Sequence, residues 1–316
     1  MKLAAIIMAG IVLAVVLLVG TFVALTWAPE RELAELQGRW ALPPSVFLEV
    51  AGMRVHLRDE GPREDQSPIV LLHGSGASLH VWEGWAAALK HRRRVIRFDL
   101  PGFGLTGPSP NGLYGIDADM RLLIALLDRL GIERCVLGGN SLGGAVAWRT
   151  ALVRPARVER LILVDAGGYP ANPTAVPLGF RLMAIPGASW VLKYTLPRIL
   201  VEEGLRSTFG DPGKVTPELV DRYVELTQRE GNRDAFIARS RQRRPGTFAD
   251  RIGELRVPTL IIWGGRDRLM SPDNARRFHA DIPGSTLVVL DDLGHQPEEE
   301  DPARTVAAVK SFLDLE

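Results

Sequence analysis

Ser141 lies in the run Gly139-Asn140-Ser141-Leu142-Gly143, where a glycine stands two positions away on each side. A serine hydroxyl becomes an effective nucleophile only when a neighbouring base removes its proton. In a G-x-S-x-G turn between a strand and a helix, a strained backbone exposes the hydroxyl at the edge of a sheet. A strand pattern precedes this run and a helical pattern follows it, so we predict that Ser141 is a catalytic nucleophile.

A base and an acid must stand near such a serine. Of the six histidines, only His295 follows the last predicted strand, in a loop that places it after the serine in the chain. The acid that orients this histidine is predicted to be Asp267, which follows the strand ending at Trp263. Asp165, after the preceding strand, is the alternative acid. The order serine, aspartate, histidine is typical of one fold that carries this motif.

Acyl transfer also needs hydrogen-bond donors for the oxyanion that forms on the substrate. The backbone N–H of Leu142 is the first predicted donor, because it follows the nucleophile. The loop after the third strand, His73-Gly74-Ser75-Gly76, is expected to give the second. We predict the N–H of Ser75, with that of Gly76 as the alternative. His73 is expected to support this loop and not to react. This chemistry requires no cofactor and no metal.

The elements that position these residues alternate between strands and helices. Continuous apolar runs predict strands buried on both faces, and apolar positions at helical spacing predict the helices between them. An early pair of strands, Val46–Val50 and Met53–Leu57, is separated by Ala51-Gly52 and predicts a hairpin. Such alternation predicts an α/β fold with a mostly parallel sheet and helices on both faces.

The alternation stops in the middle of the chain. Residues 169–250 show helical patterns and no convincing strand, so we predict a helical cap inserted between two parts of the α/β core. The core is predicted to comprise residues 46–168 and 251–316. Within the cap, the basic run from Arg239 to Arg244 is consistent with a solvated helix face or with a face toward anionic lipid headgroups.

The N-terminal segment, residues 1–29, carries no charge between Leu3 and Pro29. It is longer than the roughly 20 residues that span a bilayer and longer than a secretory signal's apolar stretch. We predict a single-pass membrane anchor, with a cleaved signal and a buried core helix as alternatives. Lys2 before the apolar run favours a catalytic domain outside the cytoplasm, on the periplasmic or extracellular side. Residues 30–45 are predicted to be a polar connector, whose first part could prolong the anchor helix.

Composition adds two limits. Lysine plus arginine is 38 and aspartate plus glutamate is 37, so net charge gives no reason to expect a nucleic-acid partner. Cys135 is the only cysteine, so an intramolecular disulfide is impossible.

With these motifs in place, residues 46–315 resemble the α/β-hydrolase family. The matching pieces are His73 to Gly76, Asp99-Leu100-Pro101-Gly102-Phe103-Gly104, Gly139 to Gly143, Asp267, and Gly294-His295-Gln296-Pro297 with Glu300 and Pro302. The resemblance implies an eight-stranded core, a cap after the sixth strand, and an Asp99 loop that shapes the site.

The resemblance leaves several functions open. Epoxide hydrolases and haloalkane dehalogenases of this fold use an aspartate nucleophile, and Ser141 stands at that position here. The Asn140-Ser141 pair is similar to carbon–carbon bond hydrolases that cleave ring-fission diketo acids. Those enzymes tend to have proline where Ala77 stands and tryptophan where Gln296 stands. We therefore predict a serine hydrolase, esterase- or lipase-like, acting on small apolar carboxylic esters. The carbon–carbon hydrolase is the alternative, and a non-catalytic ligand-binding protein is a third hypothesis.

Overall fold

The structure is a computed structural model, and it describes residues 2–170, 177–183, 185, 187–242, 244 and 246–315. Several residues of the predicted cap, namely 171–176, 184, 186, 243 and 245, lie outside the described residues. Arg243 of the basic run is one of them.

A sheet of eight strands forms the centre of the molecule, as predicted. Its strands are β1 (Ser45–Val50), β2 (Met53–Glu60), β3 (Ile69–Leu72), β4 (Val95–Phe98), β5 (Cys135–Asn140), β6 (Val158–Val164), β7 (Thr259–Gly264) and β8 (Thr286–Leu290). The spatial order is β1-β2-β4-β3-β5-β6-β7-β8. β2 pairs antiparallel with β1 and β4, and every pairing from β4 to β8 is parallel. The carboxyl ends of the parallel strands therefore meet at one edge, where the loops that carry chemistry emerge.

Helices connect and flank these strands. They are α1 (Lys2–Thr26), α2 (Leu33–Trp40), α3 (Glu83–Leu89), α4 (Ile116–Arg129), α5 (Leu142–Val153), α6 (Leu178–Met183), α7 (Ala188–Leu192), α8 (Arg198–Thr208), α9 (Pro217–Thr227), α10 (Asn232–Gln242), α11 (Pro272–Asp281), α12 (Pro297–Glu300) and α13 (Pro302–Phe312). Short 3₁₀ turns cover Leu79–Trp82, Pro155–Arg157, Pro212–Lys214 and Ala249–Glu254.

The two faces of the sheet form two separate apolar cores. Successive strand residues point to opposite faces, so Leu72 packs with α4, α5 and α11 whereas Leu71 packs with α3 and α13. Burial on both faces explains why β3 is uniformly apolar and why it could be predicted from sequence.

Helices α6 to α10 follow β6, and in the described part of this segment the chain forms isolated bridges but no named strand. This segment has an apolar cluster of its own, built from Leu205, Phe209, Val215 and Val220. Arg239 joins it to the main domain. The arginine is buried and makes a bidentate ion pair with Asp119 of α4, at 2.6 and 2.8 Å. At its first position, the predicted basic run is therefore neither solvated nor exposed to lipid.

The segment predicted to be a polar connector is instead a packed element. α1 ends at Thr26, and α2 is a separate helix that does not prolong it. Leu36 of α2 is fully buried against Leu105 and Leu226. Arg39 pairs with Asp221 (3.2 Å) and Glu225 of α9, which fixes α2 to the helical segment after β6.

Candidate active site

The turn at Ser141 joins β5 to α5. Ser141 has φ 52° and ψ −110°, a conformation that side chains rarely adopt. Its N–H donates to the carbonyl of Val164 at 3.0 Å, and its carbonyl accepts N–H groups of Ala145 and Gly167. These bonds hold the strained backbone in place, so that the serine lies at the carboxyl edge of the sheet.

The glycines of this turn are required by close packing. A Cβ at Gly139 would overlap the backbone of Gly143, and a Cβ at Gly143 would overlap the carbonyl of Leu72. A Cβ at Gly144 would lie 2.6 Å from the Cβ of Ala166. The motif therefore contains glycines because the backbones in this turn lie too close together for any side chain.

His295 and Asp267 lie side by side in the structure. His295 Nδ1 lies 2.7 Å from Asp267 Oδ2, and both residues are buried. Asp267 Oδ1 accepts the backbone N–H groups of Leu269 (2.8 Å) and Met270 (2.9 Å). The carboxylate is therefore fixed from two sides, which leaves its other oxygen to orient the imidazole.

Asp165, the alternative acid, stands beside this pair. Its carboxyl, that of Asp267 and the ring of His295 have polar atoms within 4.8 Å of one another. Asp165 Oδ1 accepts the N–H of Gly264 at 3.0 Å, and no N–H or hydroxyl group of the described residues donates to its buried Oδ2. Burial, together with the charge and hydrogen bond of Asp267, raises the pKa of Asp165 well above its usual range. A neutral Asp165 can then donate its proton to Asp267.

The loop that carries two of the predicted oxyanion donors lies close to Ser141. A Cβ at Gly74 would lie 2.6 Å from Asn140 Oδ1 and 3.3 Å from Ser141 Cβ, so the loop after β3 closes over the serine. The N–H groups of Ser75, Gly76 and Leu142 donate no hydrogen bond within the described part of the chain. All three therefore remain free to bind a developing negative charge.

His73 supports this loop, in line with its predicted part. It is fully buried, its Nδ1 lies 2.7 Å from the Gly74 carbonyl, and its Nε2 accepts the N–H of Leu100 at 2.9 Å. Burial lowers the pKa of this imidazole, which matches a neutral ring with one donor and one acceptor.

Asp99 fixes the neighbouring loop. Its carboxylate accepts the N–H groups of Leu79 and Leu105, each at 2.7 Å, and pairs with His56 Nδ1 at 2.7 Å. Although burial opposes ionisation, the charge and hydrogen bond of His56 hold the pKa of Asp99 below its usual range. His56, on the early hairpin, is thus tied to the loop that borders the site.

Three side chains near His295 make contacts that were not predicted. Asn140 Nδ2 donates to the His295 carbonyl at 2.9 Å, which couples the serine turn to the histidine loop. Glu300 accepts the N–H groups of Gly294 (2.8 Å) and of Gly210 (2.9 Å), and the Gln296 side chain lies 3.1 Å from the Tyr223 hydroxyl. The spacing of His295 and Glu300 was a usable signal, whereas Tyr223 had none because it comes from a distant helix.

The profile of the alpha/beta hydrolase fold family matches residues 67–302, well over half of the chain. The chain belongs to the α/β-hydrolase family. The 2-hydroxy-6-oxo-2,4-heptadienoate hydrolase of Pseudomonas putida is 31% identical over 276 residues, which cover 84% of this chain and 94% of that protein. The sequence thus encodes a hydrolase of this fold, as predicted.

Solved structures agree. A meta-cleavage product hydrolase from Pseudomonas fluorescens is 28% identical, with a TM-score of 0.73 over 85% of this chain and 97% of its own. A bacterial membrane phospholipase A is 23% identical, with a TM-score of 0.73 over 99% of this chain and 98% of its own. The second likeness concerns fold alone, and its coverage extends that likeness to the N-terminal helix of this hydrolase.

Proposed function

We propose that this hydrolase cleaves carboxylic esters with apolar acyl or aromatic groups, through an acyl-enzyme on Ser141. The observation that carries the proposal is the set of groups at one sheet edge: a strained serine, a buried His295–Asp267 pair at 2.7 Å, and free N–H donors. Ester hydrolysis requires these groups and nothing more.

The chemistry follows from their order. His295 Nε2 takes the proton of Ser141 as its oxygen attacks the ester carbonyl, and the N–H groups of Leu142 and Ser75 stabilise the oxyanion. The imidazolium then protonates the leaving alkoxide as the C–O bond breaks. Water, activated by the same imidazole, hydrolyses the acyl-enzyme and restores the serine. Asp267 keeps Nδ1–H of His295 in place throughout.

Carbon–carbon bond hydrolysis of ring-fission diketo acids is the second candidate. The similarity to the P. putida heptadienoate hydrolase, at 31% identity, favours this candidate. Ala77 and Gln296 depart from the residues that those enzymes tend to have, and the Gln296 amide is held by Tyr223. These departures support the ester proposal.

A substrate panel separates the two candidates. We expect the purified full-length protein to hydrolyse p-nitrophenyl esters of short to medium acyl chains and to leave 2-hydroxy-6-oxo-dienoates almost untouched. A kcat/KM for such a diketo acid well above that for every ester tested would overturn the ester proposal in favour of the second candidate.

Ser141→Ala is expected to remove ester turnover while it leaves thermal unfolding unchanged, because the turn accepts alanine and loses only the hydroxyl. A fluorophosphonate probe should label the wild type and not this variant. Near-native turnover by the variant would contradict the proposed mechanism, and absence of labelling in the wild type would favour a non-catalytic binding protein.

We also propose that α1 anchors the protein in a membrane, with the catalytic domain on the periplasmic or extracellular side. The helix has 25 residues, an 18-residue stretch within it has a mean hydropathy of 3.0, and none of its residues is buried. A core helix would be covered by the rest of the chain, whereas no residue of this one belongs to an apolar cluster of the described domain. Trp27 at its end lies where interfacial aromatic residues occur.

A further inference from the structure

The end of α1 is fixed to the helical segment after β6 and not to the central sheet domain. The N–H of Leu196 donates to the Thr26 carbonyl at 3.3 Å, and the N–H of Ala28 donates to the Tyr194 carbonyl at 3.0 Å. The rings of Trp27 and Tyr194 stack in parallel with centroids 5.6 Å apart. These contacts bring the surface of α7 and α8 directly to the end of the apolar helix.

That surface is unusually apolar. Nine large apolar residues outside α1 are exposed among the described residues, and five of them share this region. We name these five the cap apolar face: Trp27, Leu178, Ile185, Trp190 and Ile199. Trp190, 65% exposed, makes an edge contact with Tyr194 at 5.6 Å, and Ile199 lies in the first turn of α8. Tyr194 therefore connects Trp190 of the face to Trp27, which stacks on it at the end of α1.

Two exposed arginines lie on the helices beside the face. Arg181 of α6 and Arg241 of α10 are exposed, and neither forms an ion pair within the described part of the chain. Arg241 donates to Ser189 Oγ of α7 at 3.0 Å, which places its guanidinium beside the helix that carries Trp190. Exposed aromatic and aliphatic side chains bordered by arginines fit the boundary between headgroups and acyl chains.

We propose that the cap apolar face inserts into the headgroup region of the bilayer that α1 spans, so that ester lipids reach the site from the membrane. The proposal rests on the proposed anchor and, for its substrate, on the proposed ester hydrolysis. The occupant is the lipid surface, because Trp27 of the face directly follows α1 and α1 is proposed to lie in lipid. The substrate class that follows is a glycerolipid acyl ester delivered from the bilayer.

Spin labels on single cysteines test the position of the face. Cys135 is buried and burial raises its pKa to about 12, so the native thiol does not react in the folded protein. Full-length Trp190→Cys and Ile199→Cys variants are labelled in vesicles of phosphatidylcholine with phosphatidylglycerol. Leu113→Cys, exposed on the core domain, is the water-facing control, and Val15→Cys within α1 is the lipid-facing control.

We expect labels at 190 and 199 to collide with oxygen, which partitions into lipid, more than with a nickel chelate, which stays in water. Labels at 190 and 199 that behave like the one at 113, while the label at 15 lies in lipid, would overturn the face and leave the anchor intact. Shielding from both reagents would mean a second protein copy covers the face, and this too would overturn the proposal. A water-exposed label at 15 would overturn both.

Activity gives an independent readout. In the double variant Trp190→Ser, Ile199→Ser, phospholipid hydrolysis in vesicles should fall roughly tenfold, since small losses of interfacial binding act exponentially. Hydrolysis of a soluble p-nitrophenyl ester should stay unchanged, and Leu113→Ser should change neither. Equal loss on both substrates would show damage to the site and contradict the proposal. Unchanged vesicle activity would contradict it as well.

Discussion

At the scale of single residues, the site contains two adjacent buried carboxyl groups that share one negative charge. Asp267 accepts two backbone N–H groups and pairs with His295, so it carries the charge. Asp165 lies beside it without a cation, and its raised pKa keeps it protonated. We interpret Asp165 as a positioning residue whose proton fixes the Asp267 carboxylate, in keeping with the way outer partners orient catalytic groups.

Asp267→Asn is expected to lower kcat on the order of 10⁴-fold, because the amide oxygen stays with the N–H groups of Leu269 and Met270, so that the NH2 group faces His295 Nδ1 and favours the wrong tautomer. Asp165→Asn should cost about tenfold or less, since an amide N–H can replace the donated proton. Steady-state kinetics of both variants on one ester provides the measurement. A larger loss in the Asp165 variant would make Asp165 the catalytic acid.

His80 is a second buried titratable residue, held away from the reaction. Its Nε2 lies 2.9 Å from the Trp40 carbonyl at the end of α2, and its Nδ1 lies 3.0 Å from Ser78 Oγ. Burial lowers the pKa of His80 from 6.5 to about 3. Below pH 6.5 the His80 side chain binds a proton in the unfolded chain, whereas in the folded protein it stays neutral until the pH approaches 3.

Stability from His80 is therefore complete above pH 6.5 and falls as the pH drops toward 3. The loss amounts to about 1.4 kcal/mol for each unit by which the two pKa values differ. Urea unfolding of the wild type and of His80→Gln between pH 7.5 and 4.5 checks this, because the variant should lose less stability over that range. Parallel curves for the two proteins would exclude His80 as the cause.

At the scale of elements, the turn between β5 and α5 depends on how closely two backbones approach. Gly143, the second residue of α5, lies against the carbonyl of Leu72 at the end of β3. Because both atoms belong to the backbone, no side-chain movement can make room for a methyl group. The predicted nucleophile is thus positioned by a contact between a helix and the strand next to its own.

Gly143→Ala should lower the thermal unfolding midpoint strongly or prevent folding, because the new methyl overlaps the Leu72 carbonyl. Gly38→Ala is the matched control. Gly38 is exposed in the middle of α2 with nothing within 4 Å of a new Cβ, so this change should stabilise by about 0.5–1 kcal/mol. Scanning calorimetry of both variants decides, and an unaltered midpoint for Gly143→Ala would contradict the packing argument.

The elements that could be predicted from the sequence are those whose conformation follows from their own residues. Val95–Phe98 is a strand in sequence and in structure because a continuous apolar run belongs between two covered faces. β5 extends to Asn140, beyond the apolar run, because Gly138 and Asn140 pair with neighbouring strands that a local pattern does not include.

Long-range contacts explain what was missed. α2 was predicted to be part of a polar connector, because Leu36 is its only fully buried residue and its ion pairs with α9 depend on residues far away in the chain. Within the site, the order of Ser141, Asp267 and His295 was readable in the chain. The proximity of Asp165 to Asp267 and His295 could not be predicted from the chain, since it depends on how β6 and β7 lie side by side.

At the scale of the whole molecule, the N-terminal segment and the helices after β6 form one connected unit. α1 ends in hydrogen bonds with Tyr194 and Leu196, the N–H of Arg31 donates to Gln228, and α2 pairs with α9. The apolar helix is consequently attached to the helical segment after β6, in which the carbonyl of Thr208 accepts the N–H of His295.

Full-length protein should sediment with membranes and stay there after an alkaline carbonate wash, as expected of a spanning helix. A chain that begins at Arg31 should be soluble and should retain activity on a soluble ester, because no residue of α1 is buried. Fractionation with N-terminal sequencing measures this. A mature N-terminus beyond residue 25 would indicate a cleaved signal and contradict the anchor.

The hydrogen bond between Thr26 and Leu196 leaves no spacer between the apolar helix and the helical segment after β6. With α1 in a bilayer, such an enzyme searches for substrate in two dimensions, at a fixed height. Its rate is then set by the mole fraction of ester lipid in the surface and not by the total amount in solution. Adding inert lipid at constant substrate should slow the reaction, a surface dilution that a freely diffusing esterase acting on soluble esters would not experience.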